Sequence, residues 1–123
     1  MEGCLLYKNL YNDAMVKQIE FISDSLSELR TFPISARREA GFQLDRVQKG
    51  FDPDDWKPMK TIGSGVNEIR VRDADGVYRV IYIAKFDETV FVLHCFKKKT
   101  EKTAKTNIDL AKSRYKELMR RFK

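Results

Sequence analysis

Val66-Asn67-Glu68-Ile69-Arg70-Val71-Arg72, Val77-Tyr78-Arg79-Val80-Ile81-Tyr82-Ile83-Ala84-Lys85-Phe86 and Val90-Phe91-Val92-Leu93-His94-Cys95-Phe96 are three strand-like runs separated by turn residues. In the first, Ile69 and Val71 fall on one side of the alternation and Glu68, Arg70 and Arg72 on the other, the period of a half-buried strand. The second is apolar or aromatic almost throughout apart from Arg79 and Lys85, as a central strand covered on both faces requires. The third is rich in β-branched and aromatic residues and runs straight into Lys97-Lys98-Lys99. Asp73-Ala74-Asp75-Gly76 and Asp87-Glu88-Thr89 supply the turns, so the spacing predicts a meander.

Upstream, Val16 opens an alternation through Phe21 that predicts a first strand. Met15 stands immediately before it, and residues 1 to 16 are assigned to an amino-terminal extension or flexible arm, leaving 17 to 123 as one domain. Asp24 or Ser25 caps a short helix holding Leu26 and Leu29, which Pro33 ends. Ala36, Ala40, Leu44 and Val47 recur at helical spacing, with Gly50 as the carboxy-terminal cap. Residues 51 to 58 read as a loop because of two prolines and an acid cluster, with Trp56 anchoring it. Downstream, Ile108, Ala111, Tyr115, Leu118 and Phe122 repeat at steps of 3 and 4, an amphipathic helix whose other faces carry bases. The order β-α-α-β-β-β-α predicts an α+β fold, a twisted, mainly antiparallel sheet with helices on one side.

A chain of 123 residues makes one domain, and with 42% hydrophobic and 34% charged residues it holds a core but no membrane span. The amino terminus lacks the basic and apolar regions of a secretory signal. Cys4 and Cys95 have no CxxC spacing and read as free thiols, which places the chain in a reducing cytoplasm without structural metal. The net charge of +6 is concentrated at one end. From Lys97 to Lys123 there are eleven Lys or Arg against three Asp or Glu, leaving thirteen bases and fifteen acids for residues 1 to 96. Such a field draws polyanions, nucleic acid first and an acidic protein second. A solvated helix face is the plainer account of the same charges.

Arg79 is the least expected residue, because a central strand buries it. It is either internally paired, with Glu68 across the first hairpin, or functional. Arg70 and Arg72 lie on the polar face of the neighbouring strand. If Arg70, Arg79 and Lys97 to Lys99 converge, they form a cationic concavity suited to a phosphodiester and to the charge that develops as its phosphorus is attacked. His94 alternates with Val92 and Phe96 and reads as a satisfied core histidine, and a two-histidine mechanism within the chain is excluded. Proton transfer then falls to lysine. Thr61-Ile62-Gly63-Ser64-Gly65 lacks the phosphate-loop pattern and reads as a flexible turn. Tyr78, Tyr82 and Tyr115 read as core residues.

Lys57-Pro58-Met59-Lys60, Asn67-Glu68-Ile69-Arg70-Val71, Tyr78-Arg79-Val80-Ile81-Tyr82, Val92-Leu93-His94-Cys95-Phe96-Lys97-Lys98-Lys99-Thr100 and Ala111-Lys112-Ser113-Arg114 together resemble the phage-derived HigB-like branch of the RelE/ParE toxin superfamily. The resemblance runs from about Lys17 to the carboxy terminus and implies a RelE-like fold. It implies a type II toxin that cleaves mRNA on the ribosome. The 2′-hydroxyl attacks the adjacent phosphorus and leaves a cyclic phosphate, with no metal or small-molecule cofactor. The implied partners are a helix-turn-helix antitoxin and a ribosome with bound mRNA. Arg79 matches the arginine of the family's YR strand, Arg70 that of its E-[IL]-R strand, and Lys97 and Lys98 its lysine segment. These four are the implied catalytic residues, with Lys57, Lys60, Arg72, Lys99 and Lys102 as RNA contacts. RelE-type members end the site with a tyrosine, which the stretch from Thr100 to Thr106 lacks, and a proline common in the family is replaced by Thr103-Ala104. ParE-type members poison gyrase without cutting RNA. The alternative is therefore a non-catalytic gyrase poison or a basic RNA-binding module.

Overall fold

The structure, a computed structural model, describes residues 16–99 and 102–123. The expected amino-terminal arm, apart from Val16, lies outside the described residues, as does Cys4. The elements are β1 (Gln18–Phe21), α1 (Ser25–Arg30), α2 (Ile34–Gln48), β2 (Trp56–Pro58), β3 (Val66–Asp73), β4 (Gly76–Ile83), β5 (Thr89–Lys97) and α3 (Lys105–Met119), closed by a tighter helical turn, Arg120–Phe122. The three central runs form the expected meander, in a five-stranded sheet of order β1-β5-β4-β3-β2. β1 pairs parallel to β5, and every other pairing is antiparallel.

β4 is the middle strand, and Tyr78 through Ile83 are all buried, which explains a run that is apolar or aromatic but for Arg79. It ends at Ile83 rather than Phe86. The segment read as a loop contains β2, whose Trp56, Lys57 and Pro58 pair with Ile69, Glu68 and Asn67. An edge position admits a proline because one side of an edge strand needs no ladder donor. Backbone pairing anchors this segment, and Trp56 itself remains 37% exposed.

Alternate positions along the strands feed two cores. Ile69, Val71, Tyr78, Val80 and Tyr82 pack with Leu29 of α1 and with Ala36, Ala40, Leu44 and Val47 of α2. These two helices cover one side of the sheet with the apolar residues that the periodicity predicts for α2, and Gly50 ends α2 at φ +90°, a left-handed conformation that favours glycine. Val66, Ile81, Ile83, Phe91 and Leu93 pack with Ala111 and Leu118 of α3. Phe122 stacks on Phe86, with centroids 4.4 Å apart, and Arg121 pairs with Glu20 at 2.7 Å, fastening the carboxy terminus to the β1 side.

The β4–β5 ladder shifts register between Ile81, opposite His94, and Tyr82, opposite Val92. Leu93 is the extra residue. This bulge corrects the simple alternation read from the sequence. Val92 joins the α2 core, whereas His94 and Phe96 share the face of Ile81 and Arg79. No helix among the described residues is long and apolar enough to cross a membrane.

Candidate functional site

On the α3 face of the sheet, cross-strand pairing aligns the polar residues in rows. Arg70 lies directly opposite Arg79, which lies opposite Phe96. One row along, Lys57 lies opposite Glu68, which lies opposite Ile81 and then His94. The strand period of two puts all of these side chains on one face.

Arg79 is 3% exposed and donates from Nη1 to Oε1 of Glu68, itself fully buried. The plain account of a buried arginine is therefore met by the acid the sequence named. Thr103 Oγ1 donates to Glu68 Oε2 at 3.1 Å, and Lys57 Nζ lies 4.0 Å from Oε1. Arg70 is held from the approach to β2, with Nη1 3.7 Å from Asp55 Oδ1. Among the described residues, the Nε atoms of both Arg70 and Arg79 are buried without a hydrogen-bond partner. Two like charges directly opposite repel, and a buried donor without an acceptor costs about 1–3 kcal/mol.

Two clefts involve neighbours of these arginines, though neither is lined by Arg70 or Arg79 themselves. One, of about 350 Å³, is lined by Phe96 to Lys99, Lys102, Ala104, Thr106 and Asn107. The other, of about 560 Å³, is lined by Lys57 to Thr61, Lys102, Thr103 and Ile108. Lys102 belongs to both. The amino terminus of α3 adds a partial positive charge here, with Ala104 as a cap that offers no side-chain acceptor and no acid in the first turn.

The sequence-predicted residues divide accordingly. Arg70, Arg79, Lys57 and half-buried Lys98 lie on one face, with Lys60, Lys99 and Lys102 along the clefts. Lys97 borders the first cleft but does not aim its charge into it. It pairs in register with Tyr78, its Nζ 5.8 Å from that ring's centroid and 3.7 Å from Asp75 Oδ2, so its ammonium faces the opposite side. Arg72 is 71% exposed and 3.7 Å from Asp55, at the margin.

Sequence reasoning missed a second network. Glu28 of α1 accepts from His94 Nδ1 at 2.8 Å, from the Cys95 amide at 3.1 Å, and from Arg114 Nη1 and Nη2 at 3.0 Å each. Arg114 Nη1 also donates to the Leu93 carbonyl at 2.8 Å, at the bulge. His94 Nε2 lies 2.7 Å from Asn107 Oδ1. Burial works to raise the Glu28 pKa, but the hydrogen bonds from His94, Arg114 and the Cys95 amide outweigh it and bring it down to about 2. Burial, reinforced by the Glu28 charge, pushes the Cys95 thiol far up, so it is no nucleophile. A signal for Arg114 was present. It sits three residues after Ala111 and four before Leu118, on the apolar stripe of α3 rather than among the solvated bases. An arginine there needs a buried acid, but nothing in the sequence singles out Glu28.

Residues 27–116 match the family described as Phage derived protein Gp49-like (DUF891). The chain belongs to the Gp49-like family. This is a RelE/ParE-type toxin family. The Gp49-like chain also shares its fold with a mutant of the E. coli toxin RelE in the free state. The TM-score is 0.58 at 17% identity, covering 85% of this chain and 99% of that one. No curated protein matches the Gp49-like chain.

Proposed function

We propose that this protein is the toxin of a type II toxin–antitoxin pair, of the HigB-like kind, acting in the cytoplasm as a metal-independent, ribosome-dependent mRNA endoribonuclease. The observation that carries the reading is the opposed pair Arg70 and Arg79, each with a buried Nε–H donor unmet among the described residues, on a face bordered by lysine-lined clefts.

In the reaction, the ribose 2′-oxygen attacks the adjacent phosphorus as solvent water takes up its proton. Negative charge builds on the non-bridging oxygens, and the two guanidinium groups stabilise it more than they stabilise the ground state. The bond to the 5′-oxygen breaks, that oxygen takes up a proton, and a 2′,3′-cyclic phosphate remains. Lys98, on the arginine face, is the proton donor in this scheme. Lys97, facing away, is not. Glu68 holds Arg79 in orientation, while Lys57, Lys60, Lys99 and Lys102 bind flanking phosphates, with Arg72 at the edge. A toxin of this kind implies an antitoxin, here one with a helix-turn-helix domain.

The test is brief induction in a bacterial host with mapping of new RNA 5′ ends for wild type, Arg70→Ala and Arg79→Lys. Lysine is the informative change at 79, because Arg79→Ala leaves Glu68 buried without its cation, a loss of about 3–5 kcal/mol that threatens the fold. Cuts within translated frames that disappear in both variants, with antitoxin binding and thermal unfolding retained, support the reading. Growth arrest without new ends overturns it in favour of a gyrase poison or an RNA-binding module.

A further inference from the structure

Phe96 has no part in the mechanism above. It lies directly opposite Arg79 in the β4–β5 ladder and borders the cleft that Lys98, Lys99, Lys102 and Asn107 also line. It is half-buried, and among the described residues it is the one aromatic in that lining. Its ring stacks on His94, with centroids 5.0 Å and planes 22° apart. His94 is 4% exposed and held on one side by Glu28 at 2.8 Å and on the other by Asn107 at 2.7 Å. Phe96 is therefore backed by a ring that is itself fixed, so a ligand stacking on it has little side-chain motion to arrest.

Lysines alone attract any polyanion, an acidic peptide as readily as a nucleic acid. An aromatic face among them discriminates, because a planar base gains from stacking and a carboxylate does not. A basic groove that follows the backbone, with an aromatic surface for bases, is how proteins hold single strands. Lys98, Lys99 and Lys102 line the same cleft as Phe96, so a strand that sets its phosphates against these lysines brings a base to the Phe96 ring.

We propose that Phe96 is the stacking platform for a nucleobase of single-stranded RNA whose phosphates lie along the lysines of the same cleft. The inference rests on the reading of this face as an RNA site and adds the element that recognises a base. The probes are hexaadenylate and an abasic ribose-phosphate hexamer of equal charge, titrated into the full chain. Phe96→Leu lowers affinity for hexaadenylate about tenfold and leaves that for the abasic hexamer unchanged, and Phe96→Tyr restores the wild-type value. In a Trp56→Phe background, Phe96→Trp gives a fluorescence that hexaadenylate quenches and the abasic hexamer does not. The platform is overturned if wild type binds both hexamers alike, or if Phe96→Leu weakens both equally. Because this titration needs no cleavage, its failure is separate from that of the nuclease. Base-dependent binding without cut transcripts overturns only the catalysis, and cut transcripts with base-independent binding overturn only the platform.

Discussion

Glu28 shows how one carboxylate organises residues far apart in sequence. It joins α1 to β5 and to α3 through His94, the Cys95 amide and Arg114, and with its pKa near 2 it is charged across the physiological range. A carboxylate whose folded pKa lies below its unfolded value of 4.5 adds stability that is fully present above that value. The contribution is lost as pH falls from about 4.5 towards 2. We expect urea unfolding of the wild type to weaken through this window and Glu28→Gln to flatten that limb of the profile. Because Arg114 is only 6% exposed, removing its partner costs about 3 kcal/mol near neutral pH. An unchanged acid limb in Glu28→Gln would show that other carboxylates set it. Legibility at this scale follows from whether both partners of an interaction fall within a local pattern. The Arg79–Glu68 pair spans one hairpin, and strand alternation puts both residues on one face, so the sequence could name it. Glu28 and Arg114 are separated by most of the domain, and only the folded topology brings them together.

The helix α3 illustrates the same limit one level up. Its apolar spacing predicted the helix and its buried stripe, but not the surface on which it docks. The segment Thr61 to Gly65, read only as a flexible turn, is part of that surface. The Tyr115 ring lies against Gly63 so closely that a Cβ there would stand 2.5 Å from it, and the Tyr115 hydroxyl reaches the Ser64 carbonyl at 3.4 Å. Glycine at this position is set by side-chain approach rather than by backbone angle. Gly63→Ala forces the ring aside and destabilises the protein by about 1–3 kcal/mol. Tyr115→Ala in the same chain removes the clash, so the double variant should be less destabilised than the two single changes added together. Thermal unfolding of the four members of this cycle measures the coupling, and strict additivity would place the ring elsewhere. The short strand β2 escaped the sequence for a related reason. Three residues with a terminal proline carry no period of their own, and they become a strand only because β3 offers an edge to pair with.

Across the whole molecule, the excess of bases that begins at Lys97 is not spread over one solvated helix face, as the charge pattern alone allowed. Some of these bases make contacts away from the clefts. Arg114 is buried against Glu28, Arg121 pairs with Glu20, and Lys105 pairs with Asp109 at 2.8 Å. Others, Lys98, Lys99 and Lys102, line a cleft that Lys57 and Lys60 extend from the β2 side. The tertiary fold thus sorts one run of charge into scaffold and cleft lining, which composition cannot do. The sorting has a thermodynamic signature. Each phosphate contact to a single strand releases condensed counterions and contributes about −0.7 to the slope of log affinity against log salt. Lys99→Ala with Lys102→Ala should therefore make the slope for a single-stranded RNA shallower by about 1.4. Lys105→Ala with Arg121→Ala, equal in charge but drawn from positions outside the clefts, should leave it nearly unchanged. Fluorescence anisotropy over a salt series distinguishes the two pairs. Equal loss from both would mean that RNA responds to net charge alone, and the clefts would then have no privileged place in binding.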